Sequence, residues 1–210
     1  MPGSAFPYKL YLVVSAAACR HHFLTVVEEA ILGGVDIVQL REKDLSTKDY
    51  LSRALQIKVI TDRYKIPLVI NDSLEVAQKA NAFGIHVGNE DIAPTQIRDR
   101  WKECPFIGYS IEYLAQLQHK ESEAADYLGI SPVFSTPTKS NTVTEWGLEG
   151  IARIRQGTHK PLVAIGGMNL SNVTEVIKAG ADCIAVVSAI CAADDPRKAA
   201  YRLKNTILQS

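Results

Sequence analysis

This chain has little of several things, and each shortage narrows what it can be. Neither sign of charge is in excess: Lys and Arg number 23 and Asp and Glu number 23, so no global field draws the chain to nucleic acid and no acidic surplus points to disorder. Only four cysteines are present, Cys19, Cys104, Cys183 and Cys191, with neither the C-x-x-C spacing of a redox motif nor the Cys/His spacing of a zinc site. They are expected to be reduced, structural thiols. The two tryptophans, Trp101 and Trp146, come without a basic patch and read as packing residues rather than base-stacking platforms. No apolar run reaches membrane-spanning length. Residues 1–8 lack the basic flank and apolar stretch of a secretory signal and are expected to form a flexible extension; a cytoplasmic protein is anticipated. No linker or low-complexity stretch divides the chain, so residues 1–210 are expected to be one domain.

What is present is an alternation. Short β-branched runs at 10–15, 35–42, 67–72, 84–88, 106–110, 126–131, 161–167 and 183–188 are separated by amphipathic, helix-like stretches. Ser46 or Thr47 is placed to cap one helix, Ala93-Pro94 opens another, and Asn169 to Asn172 introduce a third. Gly33-Gly34, Gly84 and Gly180 stand where helices are expected to stop. About eight strand–helix pairs predict an α/β fold, a single-domain TIM (β/α)8 barrel. The competing doubly wound sheet calls for a glycine fingerprint after its first strand, and Val14-Ser-Ala-Ala-Ala18 offers none.

In a barrel the chemistry sits at the C-terminal ends of the strands, and polar residues gather there. Gln39, Arg41 and Lys43 alternate along one face of the second strand's end, inward if Val38 and Leu40 face the helices; two inward cations call for an anion, though Glu42 or Asp44 at the rim is an alternative partner. Asn71-Asp72 ends the third strand and Asn89-Glu90-Asp91 follows the fourth. Asp72 and Asp91 suit a magnesium ion bridging phosphate oxygens, while a helix N-cap is the plainer use of Asp72. Ser110 ends the fifth strand. The sixth runs into Ser131-Pro-Val-Phe-Ser-Thr-Pro-Thr-Lys139, where two hydroxyls and an ammonium in a proline-stiffened loop suit phosphate. Gly166-Gly167 and Val187-Ser188 end the last two strands, where barrels often bind phosphate and where tight turns also need glycine. His21, His22, His119 and His159 read as surface residues and His86 as a packing group inside the barrel; no general base emerges.

Together Gln39-Leu-Arg-Glu-Lys43, Asn71-Asp72, Gly84-Ile-His-Val-Gly88 with Glu90-Asp91, Gly108-Tyr-Ser110, Thr136-Pro-Thr-Lys139, Ala164-Ile-Gly-Gly167 and Val187-Ser-Ala-Ile190 resemble the thiamine-phosphate synthase family over nearly the whole chain. The resemblance implies joining of a hydroxymethylpyrimidine diphosphate to a thiazole phosphate, with release of pyrophosphate. It implies a pyrimidine-diphosphate site of Gln39, Leu40, Arg41, Glu42, Lys43, Asn71, Ser110 and Lys139, with Arg41, Lys43, Lys139 and Ser110 serving catalysis. It implies a thiazole-phosphate site of Thr136, Pro137, Thr138, Gly167, Val187 and Ser188, and magnesium (Mg2+) on Asp72 and Asp91. The implied mechanism is dissociative, which accounts for the missing base. The expected partners are these small molecules, with no nucleic acid and no membrane; a homo-oligomer stays open. Three positions depart from the family pattern: Asn89 in place of Gln, Ser131 in place of Gly, and Ile111-Glu112 in place of Thr-His. The segment 140–146 is a candidate lid. The rival readings are a thiazole tautomerase on the same barrel, a non-catalytic phosphate sensor and a phosphosugar isomerase.

Overall fold

The computed structural model describes residues 6–135 and 145–210. Eight parallel strands close into a barrel in sequence order, β8 pairing back onto β1. The strands are β1 (Leu10–Val14), β2 (Ile37–Leu40), β3 (Leu68–Asn71), β4 (Gly84–Val87), β5 (Ile107–Ile111), β6 (Tyr127–Ile130), β7 (Leu162–Ile165) and β8 (Cys183–Val186). Each lies within a few residues of a sequence-predicted run. The helices that argument requires are α1 (Phe23–Leu32), α2 (Thr47–Tyr64), α3 (Leu74–Lys79), α4 (Pro94–Arg100), α5 (Lys120–Ala124), α6 (Gly147–Gly157), α7 (Val173–Lys178), α8 (Ser188–Cys191) and α9 (Pro196–Leu208).

Strand periodicity sorts the side chains into two layers. Leu10, Leu12, Val38, Leu40, Leu68, Ile70, Ile85, Ile107, Leu128, Leu162 and Ile184 face outward and are buried under the helices. Each fully buried side chain of this kind stabilises the fold by roughly 1.5–3 kcal/mol. The alternate positions Tyr11, Val13, Ile37, Val69, Tyr127, Val163, Cys183 and Ala185 fill the barrel itself, closed at the N-terminal end by Phe106. The free extension expected over 1–8 does not run that far, because Phe6 and Tyr8 pack on the Phe106 ring with centroids 5.9 and 5.8 Å away. Helix ends follow local chemistry. Ser46 caps α2 by accepting from the Asp49 amide, and Lys65 in the left-handed region ends it. Gly34 and Gly180 turn the chain at φ 105° and 118°. Gly84 opens β4, as the run 84–88 predicted: a Cβ there would meet the Phe106 carbonyl oxygen at 2.1 Å, so only glycine lets β4 and the start of β5 approach.

Three aspartates set the lower rim, a device not anticipated from the sequence. Asp36 accepts from the amides of Lys9 and Leu10 at 2.8 and 2.9 Å, Asp126 from Ile107 at 2.6 Å, and Asp182 from Leu162 at 2.8 Å. Each is paired with a cation, Lys204, Arg98 and Arg155 respectively. Each of these carboxylates precedes one strand and ties down the start of the strand before it, fixing the parallel stagger. Hydrogen bonds of this charged type contribute about 1.5–3 kcal/mol apiece.

Candidate active site

At the opposite rim the inward faces of β2, β3, β4 and β5 deliver Gln39, Asn71, His86 and Ser110. Gln39 follows Ile37 into the barrel and is 4% exposed, while Val38 and Leu40 face the helices, as the alternation required. Leu40 is therefore a correction to the expected binding set: its side chain is buried in the outer core, and its carbonyl accepts from Tyr50 Oη at 2.8 Å, so it holds the strand end in place without reaching the mouth. Glu42 is likewise engaged behind the site. Its Oε1 accepts from the Ala16 amide at 2.9 Å and pairs with Arg53 at 2.6 Å, which removes it as a partner for Arg41 and Lys43 and braces the segment that carries them.

Asp72 follows β3 with φ 63°, a backbone turn that its amide secures by donating to the His86 carbonyl at 2.9 Å. The cap of α3 is Ser73, whose hydroxyl accepts from the Val76 amide at 3.3 Å, so the plainer use of Asp72 as a helix cap is ruled out. Its carboxyl instead hydrogen-bonds to that of Asp91. Asp91 is oriented by the Gly88 amide, which donates to its Oδ2 at 2.7 Å. Burial, then the hydrogen bond and charge of Asp91, push the Asp72 carboxyl up to about 7, while Arg41 and Lys43 pull the other way. Two carboxyls facing each other beside two cations fit a divalent ion that takes oxygen ligands and shares a polyanion with Arg41 and Lys43. Among the described residues no group of three or more His, Cys, Asp or Glu is placed to hold a metal ion.

Asn71 continues the inward face of Val69, and Ser110 that of Gly108. Ser110 Oγ lies 2.9 Å from His86 Nε2. Beyond β7, Gly166 and Gly167 adopt φ 107° and 70°. A Cβ on Gly166 would come within 2.6 Å of Pro132 Cβ, and one on Gly167 within 2.9 Å of Phe134 Cβ, so both glycines are required by the loop after β6. The Gly167 carbonyl accepts from Asn169 and Asn172 at 3.1 and 2.9 Å. Val187 is half-buried and Ser188, the first residue of α8, is exposed beside it in sequence. Thr136, Pro137, Thr138, Lys139 and most of the candidate lid, 140–144, lie outside the described residues.

The sequence profile described as thiamine monophosphate synthase matches residues 10–190. This chain belongs to the thiamine monophosphate synthase family. The thiamine-phosphate synthase of Albidiferax ferrireducens is 48% identical over 200 residues, covering 95% of this chain and 91% of that one. That of Leptospira biflexa is 42% identical over 201 residues, with 93% and 96% covered. Among solved structures, the thiamine phosphate pyrophosphorylase of Pyrococcus furiosus superimposes with TM-score 0.86 at 32% identity, covering 96% of each chain. A 3-hexulose-6-phosphate synthase shares the fold alone, with TM-score 0.68 at 17% identity.

Two of the departures from this family's pattern have structural settings. Asn89 Oδ1 accepts from Tyr109 Oη and from Gln116 Nε2, each at 2.5 Å. Gln116 Oε1 in turn accepts from the amides of Glu112 and Tyr113 at 2.6 and 2.9 Å, so the loop after β5 is pinned by an amide network that runs from buried Gln116 to exposed Asn89. His21, His22, His119 and His159 are exposed, as expected, and the cysteines are free thiols, three of them buried. His86 does more than pack: it touches Ser110 through one ring nitrogen and Tyr127 through the other. Tyr11, Arg53 and Tyr127 were not anticipated. The available signal was the pair of strand glycines, Gly108 and Gly129, that leave room beside inward-facing Tyr127 and His86.

Proposed function

We propose that this chain condenses 4-amino-2-methyl-5-hydroxymethylpyrimidine diphosphate with 4-methyl-5-(2-phosphoethyl)thiazole, giving thiamine phosphate and pyrophosphate by a dissociative route. The observation that carries the reading is the Asp72–Asp91 carboxyl pair between adjacent strand ends, with Arg41 and Lys43 close enough to act on it electrostatically. The C–O bond from the pyrimidinylmethyl carbon to the diphosphate breaks, and the thiazole nitrogen forms the new C–N bond. No proton need be abstracted.

Asp72 and Asp91 would hold the magnesium, which when bound neutralises charge on the departing diphosphate. Arg41 and Lys43, with Lys139 from outside the described residues, share that task, and Ser110 and Asn71 fix the diphosphate and ring orientation. Gln39 presents an amide from the barrel floor. Thr136 to Thr138, Gly167, Val187 and Ser188 form the thiazole-phosphate side. Leu40 and Glu42 serve from behind, as packing and as a brace. A tautomerase or a phosphate sensor has no leaving pyrophosphate to neutralise and no use for the Asp72–Asp91 pair. An isomerase would need an acid–base pair at the strand ends.

The protein is read as cytoplasmic; among the described residues no helix is long and apolar enough to cross a membrane. The deciding experiment supplies both substrates with magnesium or with chelator and follows pyrophosphate and thiamine phosphate together. Equal, magnesium-dependent formation of both is expected. Binding of the thiazole phosphate without either product would overturn the reading in favour of a tautomerase or sensor.

A further inference from the structure

Five side chains form one continuous hydrogen-bonded line through the barrel interior. Gln39 Nε2 is 3.0 Å from Tyr11 Oη, and Tyr11 Oη is 3.2 Å from Tyr127 Oη. Tyr127 Oη is 2.8 Å from His86 Nδ1, and His86 Nε2 is 2.9 Å from Ser110 Oγ. The line crosses from β2 through β1, β6 and β4 to β5, so its two ends are two of the residues assigned to the pyrimidine diphosphate. It is built into the fold. A Cβ on Gly108 would lie 2.3 Å from Tyr127 Oη and 2.4 Å from His86 Nδ1, and one on Gly129 would lie 3.0 Å from the His86 ring. The His86 and Tyr127 rings also stack, with centroids 5.5 Å apart and planes 27° from parallel.

The line has a direction. Gln39 Nε2 can only donate, so the Tyr11 oxygen accepts there. Tyr11 is 1% exposed, and its remaining hydrogen-bond partner among the described residues is Tyr127, so the single Tyr11 proton goes to Tyr127. Tyr127 then has its own proton to give to His86 Nδ1. With Nδ1 accepting, a neutral imidazole carries its proton on Nε2 and donates to Ser110 Oγ. The Ser110 oxygen is thereby engaged as an acceptor, and its own O–H is directed elsewhere, toward the mouth. Burial raises both phenols well above their ordinary value, so neither supplies an anion that would reverse the line.

We propose that His86 is a positioning residue for Ser110: held as the Nε2–H tautomer by Gln39, Tyr11 and Tyr127, it turns the Ser110 hydroxyl into a dedicated donor for a diphosphate oxygen. This rests on the reading that Ser110 belongs to the diphosphate site. It couples Gln39 to Ser110 across the barrel, so that a change at one end alters hydrogen bonding at the other without contact between them.

Long-range 1H–15N correlation spectra of the substrate-free full chain at pH 7.5 test the line by itself, with the His86 signals assigned by their loss in His86→Gln. Protonated Nε2 and unprotonated Nδ1 are expected. An Nδ1–H tautomer or an imidazolium would overturn the proposal while leaving the proposed activity untouched. Kinetics test the role. Tyr127→Phe, which touches no substrate in this reading, should raise KM for the pyrimidine diphosphate about fivefold, the scale of one hydrogen bond, and leave KM for the thiazole phosphate unchanged. Added to Ser110→Ala it should do nothing more, and equal losses in both backgrounds would overturn the coupling. His86→Gln, whose amide can still donate to Ser110, should retain more activity than His86→Leu; equal activities would count against donation. If Ser110→Ala leaves every constant unchanged, Ser110 is not a diphosphate ligand and the positioning role falls with that assignment, whatever the tautomer.

Discussion

Asp72 and Asp91 face each other across neighbouring strand ends, carboxyl to carboxyl, and each is locked there by backbone: Asp72 through its amide to His86 and Asp91 through the Gly88 amide at 2.7 Å. In the proposed role the arrangement trades stability for metal binding, because burial and like charge both oppose ionisation of Asp72. Asp72→Asn is therefore expected to cut turnover by about 100-fold or more, the scale of losing a group that stabilises developing charge. The same variant should melt higher than the parent in chelator at pH 8. Asparagine also tolerates the φ of 63° at this position better than alanine would. Thermal melts and initial rates on one preparation check both halves, and wild-type turnover would remove the metal assignment.

The raised Asp72 value makes this site pH-sensitive in a definite direction. The group's folded value, about 7, lies above the ordinary carboxylate value of 3.8, so the folded state binds a proton more readily than the unfolded chain. Its contribution to the stability of the metal-free protein is accordingly most favourable below pH 4 and declines as pH rises toward 7. Magnesium requires the ionised form, so its affinity should climb between pH 6 and pH 8 with release of a proton. Calorimetry in buffers of different ionisation enthalpy measures that release; pH-independent affinity would contradict it.

Arg53 pairs with Glu42, whose side chain is 8% exposed, at 2.6 Å. Arg53→Met leaves a buried carboxylate without its cation, a loss of about 3–5 kcal/mol for fully buried pairs and less here because Arg53 is partly exposed. The expected result is a lower melting temperature and a raised KM for the pyrimidine diphosphate, since the braced segment carries Arg41 and Lys43. Unchanged KM would show that the brace supports the fold alone.

Gly167 has φ 70°, and a Cβ there would crowd Phe134. Gly167→Ala should cost about 1–2 kcal/mol from the left-handed backbone alone. It should weaken thiazole-phosphate binding while sparing the pyrimidine diphosphate. Isothermal titration with each substrate separates the two, and equal affinities for the thiazole phosphate in parent and variant would move that site elsewhere.

The fold was legible because a parallel barrel writes itself in local patterns: each strand is a short β-branched run bounded by its own turn chemistry, and Val38 and Leu40 against Gln39 already give the inward face. The positions of Asp72, Asp91 and Ser110 at strand ends follow from the same periodicity. Tertiary structure alone decided which groups meet. Nothing local separates Asp72 as a ligand from Asp72 as a helix cap; the neighbouring Ser73 takes the cap, and Asp91, from the next strand end, turns the remaining carboxyl into half of a pair. Leu40 stood with the binding residues only because the family resemblance takes 39–43 as a block; the alternation had already turned its side chain toward the helices, where it is buried. His86 reads from the sequence as a packing group and Tyr11 and Tyr127 carry no local signal of their own; the three become one directed line only when closure sets β1, β4 and β6 around a common interior. Local chemistry specifies elements because backbone preference and burial act over a few residues, whereas pairing of buried polar groups is chosen by barrel closure, which brings Tyr11 and Tyr127, 116 positions apart, into hydrogen-bonding distance.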